Sequence, residues 1–467
     1  MIHDHETARL AVPGHAGATR LDTAGQSVPP ALQARLRSRL HIDRLRRSPR
    51  TLANRLALGL ALVGPGLLVM LGDNDAGGVI TYAQTGATYG FSLFLPLLIP
   101  LGFMAYLVQE MTIRLGTVTR RGHAELIWKR YGVFWGAFSL IDLVMANILT
   151  LMTEFIGIRV AGAVFGISYL VTVPLAFAFI AATLLLLKYR SWERVALAVA
   201  VINIVFIPLV LSLHPDWGAI GRSFTPTGWQ VPGGLLSAGF LILLSANIGT
   251  TIAPWQLFFQ QSCVVDKGLL AKDIAASRRD LMLGVTAMIL VAAAIMVLAA
   301  QFMHGVPGAA SLGDADVLSV IGERVGHVAM VVFAIGLFEA GLVAAIVITA
   351  STAWAIGEAL DLPRSLDLPP RQALAFYGPA IAGTALAAGL LMLPNVPMGF
   401  LNLTVQVIAT VFMPAAMLFL LMLLNDRELL GEHVNSPLRN ALSVGVVILL
   451  ILCNGLYGIA TVFPNAL

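Results

Sequence analysis

Charge is what this chain has least of. Asp, Glu, Lys and Arg make up 12% of its 467 residues, about half the share of an ordinary soluble domain. A surface large enough to keep so long a chain in water cannot be built from so few charges, so a set of soluble domains is excluded. Cysteine is almost absent too: Cys263 and Cys453 provide no disulfide framework and no metal-ligand spacing. The first residues lack the basic start, short apolar core and small-residue cleavage site of a secretory signal. A soluble enzyme, a secreted scaffold and a nucleic-acid binder are therefore all set aside.

What is present is apolar sequence. The hydrophobic share is 58% and the mean hydropathy is +0.85. Runs near 20 residues recur, each sufficient to cross about 30 Å of hydrocarbon. The expected class is an all-α polytopic membrane protein. Eleven spans are read near 56–88, 93–117, 134–158, 165–187, 193–212, 235–262, 282–302, 328–350, 373–392, 398–424 and 440–461. Residues 1–50 read as a disordered basic cytoplasmic tail, and 51–467 as the membrane domain. Lys and Arg collect in the connections around Arg120–Arg130, Lys188–Arg194 and Lys267–Arg279. The bias toward basic cytoplasmic loops then puts the N-terminus inside and the C-terminus outside, in a cell inner or plasma membrane.

Two spans are interrupted. The first carries Gly72-Asp73-Asn74-Asp75-Ala76-Gly77-Gly78, and the sixth carries Asn247-Ile248-Gly249-Thr250-Thr251-Ile252-Ala253-Pro254. They lie five spans apart, the signature of two inverted repeats whose first helices are broken near the membrane midplane. Repeat one would run over about 56–212, repeat two over about 235–424, with an extra helix at 440–461. Irregular backbone at that depth is tolerated only where it lines a cavity or is buried in protein. A substrate site is thus expected between spans one and six.

The breaks offer oxygen. Asp75 is the leading cation ligand, and Asp73 and Asn74 are secondary candidates. A carboxylate at the bilayer centre costs about 2.5–3.5 kcal/mol on insertion scales and needs a compensating partner. The alternative for either Asp is to cap the second half-helix or face an aqueous vestibule. Gly77 and Gly78 permit unwinding, which would expose carbonyls near Asp75–Gly78 and Ala253. Pro254 frees a carbonyl one turn earlier. Thr250 adds a hydroxyl and Gln256 an amide. Neither break holds Met, Cys or His, so the set suits Mg²⁺, Mn²⁺ or Ca²⁺ better than thiophilic metals.

These residues resemble the Nramp divalent-metal transporter family. Gly64-Pro65-Gly66…Asp75-Ala76-Gly77-Gly78 is similar to its first helix, and Arg114–Thr119 to the end of its second. Glu154-Phe155-Ile156-Gly157 is similar to its third. Gln406-Val407…Met413-Pro414…Asn425–Glu432 is similar to its tenth and the following loop. The resemblance implies a sodium-symporter-like 5+5 inverted repeat with metal held between broken helices one and six. It matches Asp75 to the family's metal-binding aspartate and Gln406 to a glutamine that joins the site. It also places Glu154 on an ion or proton path. The departures fall at the site. Gly78 stands where the family has Asn, Ala253-Pro254-Trp255 where it has Met-Pro-His, and Leu151 where it has a third-helix acid. Loss of the thioether and the Asn resembles the Nramp-related magnesium transporter branch. That implies a roomier site for a partly hydrated ion.

Other polar residues carry readings of their own. Glu339 on span eight is an intramembrane acid, read as a proton carrier, a second ion ligand or a structural partner. Glu154 has pairing with Arg159 as its alternative, and Asn402 lies one turn from Gln406. Asp142 and Asn147 read as packing residues, Glu110 and Arg114 as a local pair, Trp255 as a pocket wall, and His304 and the other loop histidines as surface residues. The expectation is a monomeric transporter and not an enzyme, needing no cofactor and no nucleic acid, whose partners are the bilayer and the transported ion. Its expected cargo is Mg²⁺, with Mn²⁺ sharing the site, moved by alternating access without proton coupling. The alternatives are a proton-coupled Mn²⁺ importer of the ordinary family type and an organic-solute symporter of the same fold.

Overall fold

A computed structural model describes residues 64–229, 231–394 and 396–462. The expected tail at 1–50 and the start of span one lie outside them. Among the described residues there are helices and no strands. Among the described residues nine helices are long and apolar enough to cross a membrane, Leu374–Leu390 is a shorter apolar one, and the units are numbered here as the sequence reading numbered its spans. Span one is split into Pro65–Leu71 and Ala76–Tyr89; spans two to five are Phe94–Thr119, His123–Val164, Tyr169–Leu186 and Tyr189–Ser212. Span six is split into Ala238–Thr251 and Pro254–Lys267. Spans seven to eleven are Ile274–Phe302, His327–Ala359, Leu374–Leu390, Met398–Leu424 and Pro437–Val462.

The two breaks follow from local chemistry. Pro65 opens the leading half of span one at a position where a missing N–H costs nothing. Asp75 is extended, at φ −66° and ψ 171°, and its carboxylate caps the trailing half by accepting from Gly78 N at 2.5 Å. The unwound stretch is therefore Gly72–Asp75, and Gly77 and Gly78 sit in the first turn of the resumed helix instead of presenting free carbonyls. In span six, Ile252 and Ala253 are extended and Pro254 restarts the helix.

Three regions differ from the sequence reading. The connection before span three is helical from His123, where Lys129 and Arg130 are paired, while the spanning helix itself starts beyond Gly132, next to the expected 134. Lys129 meets Glu125 at 2.8 Å, and Arg130 meets Asp426 at 2.7 Å. The connecting and spanning parts join at Gly132, whose φ of +86° only glycine adopts readily. Span eight continues to Ala359, since Trp354 and Glu358 in its last turns are buried. The connection at 303–327 is not plain loop: Asp314–Arg324 forms a helix that buries Val317, Leu318 and Ile321.

Spans three and eight pack along one another, and span seven lies against both halves of span one. The interior is closed by small and aromatic residues. Phe134, Leu175, Leu186, Val328 and Leu374 instead turn outward and stay exposed, as a lipid-facing surface requires.

Candidate metal centre

Asp75 is buried at the junction of the two breaks. Several partners converge on the turn it caps. Thr250, from the leading half of span six, lies against Gly78: a Cβ there would collide with Thr250 Oγ1 and stand 3.0 Å from Asp75 Oδ1. Gly77 has the same relation to span ten, where a Cβ would strike the Gln406 amide and lie 2.9 Å from Asn402 Oδ1. Both glycines are thus required by close approach. Glu154 completes the ring from span three. Its Oε2 accepts from Ala76 N at 2.9 Å and its Oε1 from Thr153 Oγ1 at 3.1 Å. Two carboxylates, Asp75 and Glu154, therefore cap the same helix N-terminus.

The other candidates separate from this group. Gln256 donates to Asp73 Oδ1 and accepts from Gln109 Nε2 at 3.3 Å, so Asp73 and Gln256 form a network reaching span two. Asn74 turns away, donating to Met288 O on span seven at 3.2 Å. The Ala253 carbonyl accepts from Gln256 N at 3.2 Å, which leaves it a second lone pair. Glu339 is buried and meets Asn203 of span five at 3.0 Å, on the side of the break reached by Asn74 O, which Asn203 Nδ2 also approaches at 3.3 Å.

Two sequence readings need correction. Arg159 does not pair with Glu154. It donates to Leu391 O at 2.7 Å and lies over the Tyr169 ring, because its position faces the far end of span nine. His123 is not a surface residue; it is buried edge-on against Phe258 and bonded to Gln261 at 3.1 Å, because the connection before span three is itself a helix packed on span six.

Four residues were missed. Asn203 is the single polar residue of the run Val201–Phe206. Gln109 lies in a polar stretch near the basic end of span two. Asp280 lies between the basic connection Lys267–Arg279 and the expected start of span seven at 282. Asp314 was hidden among ordinary loop polars, yet it is buried. Burial pushes its carboxyl up to about 7. An isolated polar residue inside an apolar run was the available signal for Asn203.

Chemically the centre presents carboxylate, hydroxyl and amide groups around a helix terminus, with no sulfur and no imidazole at the breaks. Among the described residues no group of three or more His, Cys, Asp and Glu is clustered as a metal cage. An ion held here would bind through few protein oxygens and would keep water, the preference of a small hard cation.

Comparison with known proteins agrees with this architecture. The family profile described as natural resistance-associated macrophage protein-like matches residues 66–460. The divalent metal cation transporter MntH 1 of Pseudomonas aeruginosa is 28% identical over 397 residues, covering 82% of this chain and 87% of that protein. The divalent metal cation transporter MntH of Ralstonia nicotianae is 27% identical, with 82% and 87% covered. Among solved structures, the Eremococcus coleocola manganese transporter bound to an aromatic bis-isothiourea compound superimposes with a TM-score of 0.70 at 20% identity, covering 87% of each chain. MhsT in complex with L-phenylalanine superimposes at 0.52 with 14% identity, covering 84% of this chain and 98% of its own.

Proposed function

Because this chain belongs to the Nramp family, a family of metal transporters and not of enzymes, we propose that it carries a hard divalent cation, Mg²⁺ or Mn²⁺, across a membrane by alternating access. The observation that supports this most is the surround of Asp75 at the paired helix breaks, built of carboxylate, hydroxyl and amide groups without sulfur or imidazole. Asp75 supplies the charge. The Ala253 carbonyl and Thr250 supply neutral oxygens, the Gln406 amide stands beside them, and bound water completes the shell; Gly78 itself leaves no room, because Thr250 and Asp75 close on it. Asp73, Asn74 and Gln256 stand one layer out and act through water or through the backbone they position. The N-terminus lies in the cytoplasm and the C-terminus outside, and the helix Asp314–Arg324 covers the outer end of the path. Transport runs without proton coupling. The membrane potential drives inward flow, about 2.3 kcal/mol per charge per 100 mV and so about twice that for a divalent ion.

One observation favours a second reading. Glu154 shares the N-terminus capped by Asp75, so a proton released when metal binds Asp75 has an acceptor one helix terminus away. That arrangement suits a proton-coupled Mn²⁺ importer. Flux into proteoliposomes with an internal divalent indicator and a parallel internal pH readout tests both. Mg²⁺ entry without acidification supports the first reading, and Mn²⁺ entry with acidification and no Mg²⁺ entry supports the second. Asp75→Ala should abolish either flux; flux unchanged in that variant overturns both.

A further inference from the structure

On the side of the basic loops, three guanidinium groups share one carboxylate. Glu110, near the end of span two, accepts from Arg114 of its own helix through Oε2 at 3.1 Å. Its Oε1 accepts from Arg278 at the start of span seven, through Nε at 3.0 Å and also through Nη2. Arg439, in the first turn of span eleven, stands 3.7 Å from the same oxygen. Among the described residues none of these arginines meets another carboxylate. Three positive charges against one negative leave the cluster strongly basic.

The three arginines are not equivalent. Arg114 is buried, and its terminal nitrogens are taken up by Glu110, the His433 carbonyl and Asn435 Oδ1. Arg278 and Arg439 keep 34% and 38% of their side chains exposed. Arg278 Nη1 and Arg439 Nη2 have no hydrogen-bond partner among the described residues. Two open guanidinium edges from different helices thus converge on one point.

The surface deeper in the membrane is apolar. Met282 lies one turn in from Arg278, Leu442 one turn in from Arg439, and Phe103 two turns in from Glu110, each on the same face of its helix. All three are exposed. Spans seven and eleven both pack against span two. Charge at one end of three neighbouring helices, with bare hydrocarbon directly below it, is the profile of a membrane's phosphate layer. A soluble anion would match the charge and leave the apolar faces unused. A lipid uses both.

We propose that Arg278 and Arg439 bind the phosphate of an anionic phospholipid whose acyl chains lie along Met282, Leu442 and Phe103. The planar guanidinium fork suits phosphate oxygens, and the excess of positive charge selects an anionic head over a zwitterionic one. Occupancy would bridge spans seven and eleven two residues before Asp280, which accepts from Gly64 N at 3.1 Å and Gly66 N at 2.7 Å. The lipid would thereby steady the end of span seven that anchors the leading half of span one.

Native mass spectrometry of the purified, delipidated full-length protein, titrated with phosphatidylglycerol or phosphatidylcholine, tests this. The wild type should bind phosphatidylglycerol about ten-fold more tightly. Arg278→Gln and Arg439→Gln should each weaken that binding about ten-fold, the share of one hydrogen bond to a charged group, and leave phosphatidylcholine unaffected. Arg371→Gln, which removes an exposed charge from the connection between spans eight and nine, should change neither. If Arg278→Gln does not fold, Arg439→Gln, whose contact with Glu110 is the longer one, still decides. Equal binding of the two lipids overturns the site, as does unchanged phosphatidylglycerol binding in Arg439→Gln. A loss in Arg371→Gln as large as in Arg439→Gln would mean general surface charge and overturns it too. Displacement of phosphatidylglycerol by excess inorganic phosphate would assign the site to a soluble anion and overturn the lipid. No divalent ion is needed, so failure of the transport reading leaves this measurement intact.

Discussion

Removing the Asp280 carboxylate should unlatch the leading half of span one. That half begins at Gly64, and its first N–H groups have no partner within the helix. Asp280 on span seven supplies one, accepting from Gly64 N at 3.1 Å, Gly66 N at 2.7 Å and Leu67 N at 3.3 Å. Gly64, at φ +152°, sits where a Cβ would strike the Glu193 carboxylate and lie 2.9 Å from Lys267 Nζ. Lys267 and Glu193 themselves pair at 2.8 Å, and Tyr189, one turn before Glu193, lies 3.0 Å through its hydroxyl from Cys263 Sγ. The helix end, the ion pair and the cysteine form one layer. Hydrogen bonds to a charged group contribute about 1.5–3 kcal/mol each. In Asp280→Ala the two shorter bonds and the longer third are lost in the closed state, while the freed N–H groups regain water once the half-helix swings out. The net bias toward opening is about 2–4 kcal/mol, or about 30- to 700-fold at 1.4 kcal/mol per decade. Cys263 is buried and reports this directly. In a Cys453→Ser background, a membrane-impermeant maleimide added from the side of the basic loops should label Cys263 faster by that factor in Asp280→Ala. Asp280→Asn, which keeps an acceptor oxygen, should fall between. A labelling rate within two-fold of wild type in Asp280→Ala would refute the latch.

Three further outcomes follow from the same structure. Gly78→Ala would press a methyl between Thr250 Oγ1 and Asp75 Oδ1; Mn²⁺ affinity measured by calorimetry should drop at least ten-fold while the protein remains folded. Glu110→Ala leaves Arg114, which it meets at 3.1 Å, buried without its carboxylate, and also releases Arg278 and Arg439; loss of one partner of a buried pair costs about 3–5 kcal/mol, readable as a lower unfolding midpoint in detergent. Asp314 has a folded pKa of about 7 against an ordinary 3.8, so the folded protein holds that proton more tightly than the unfolded chain. Its contribution to stability is complete below about pH 4 and is lost as pH rises through about 7. Asp314→Asn should flatten the fall in melting temperature between pH 5 and pH 8, and an unchanged slope would show that Asp314 does not titrate in this range.

What could be read in the sequence depended on whether the signal was local. Apolar runs and the paired Gly/Pro interruptions are local, and they were sufficient for the all-helical membrane class and the two broken helices; of the eleven expected spans, nine are helices of membrane length among the described residues and Leu374–Leu390 is a shorter one. Asp75 stood out because a carboxylate beside glycines in an apolar run has few structural excuses. The partition of the site was not local. Asp73, Asn74 and Asp75 are consecutive, yet they face Gln256, Met288 and the turn at Gly78 respectively. In an unwound stretch neither the period of a helix nor that of a strand assigns faces, so only the neighbouring spans decide. The same holds for Asn203 and Glu339, 136 residues apart and joined by one hydrogen bond. Each alone reads as a polar exception in an apolar helix. Together they place a carboxylate and an amide beside the Asn74 carbonyl, so the unwound stretch Gly72–Asp75 meets span five one residue before the aspartate that caps the resumed helix.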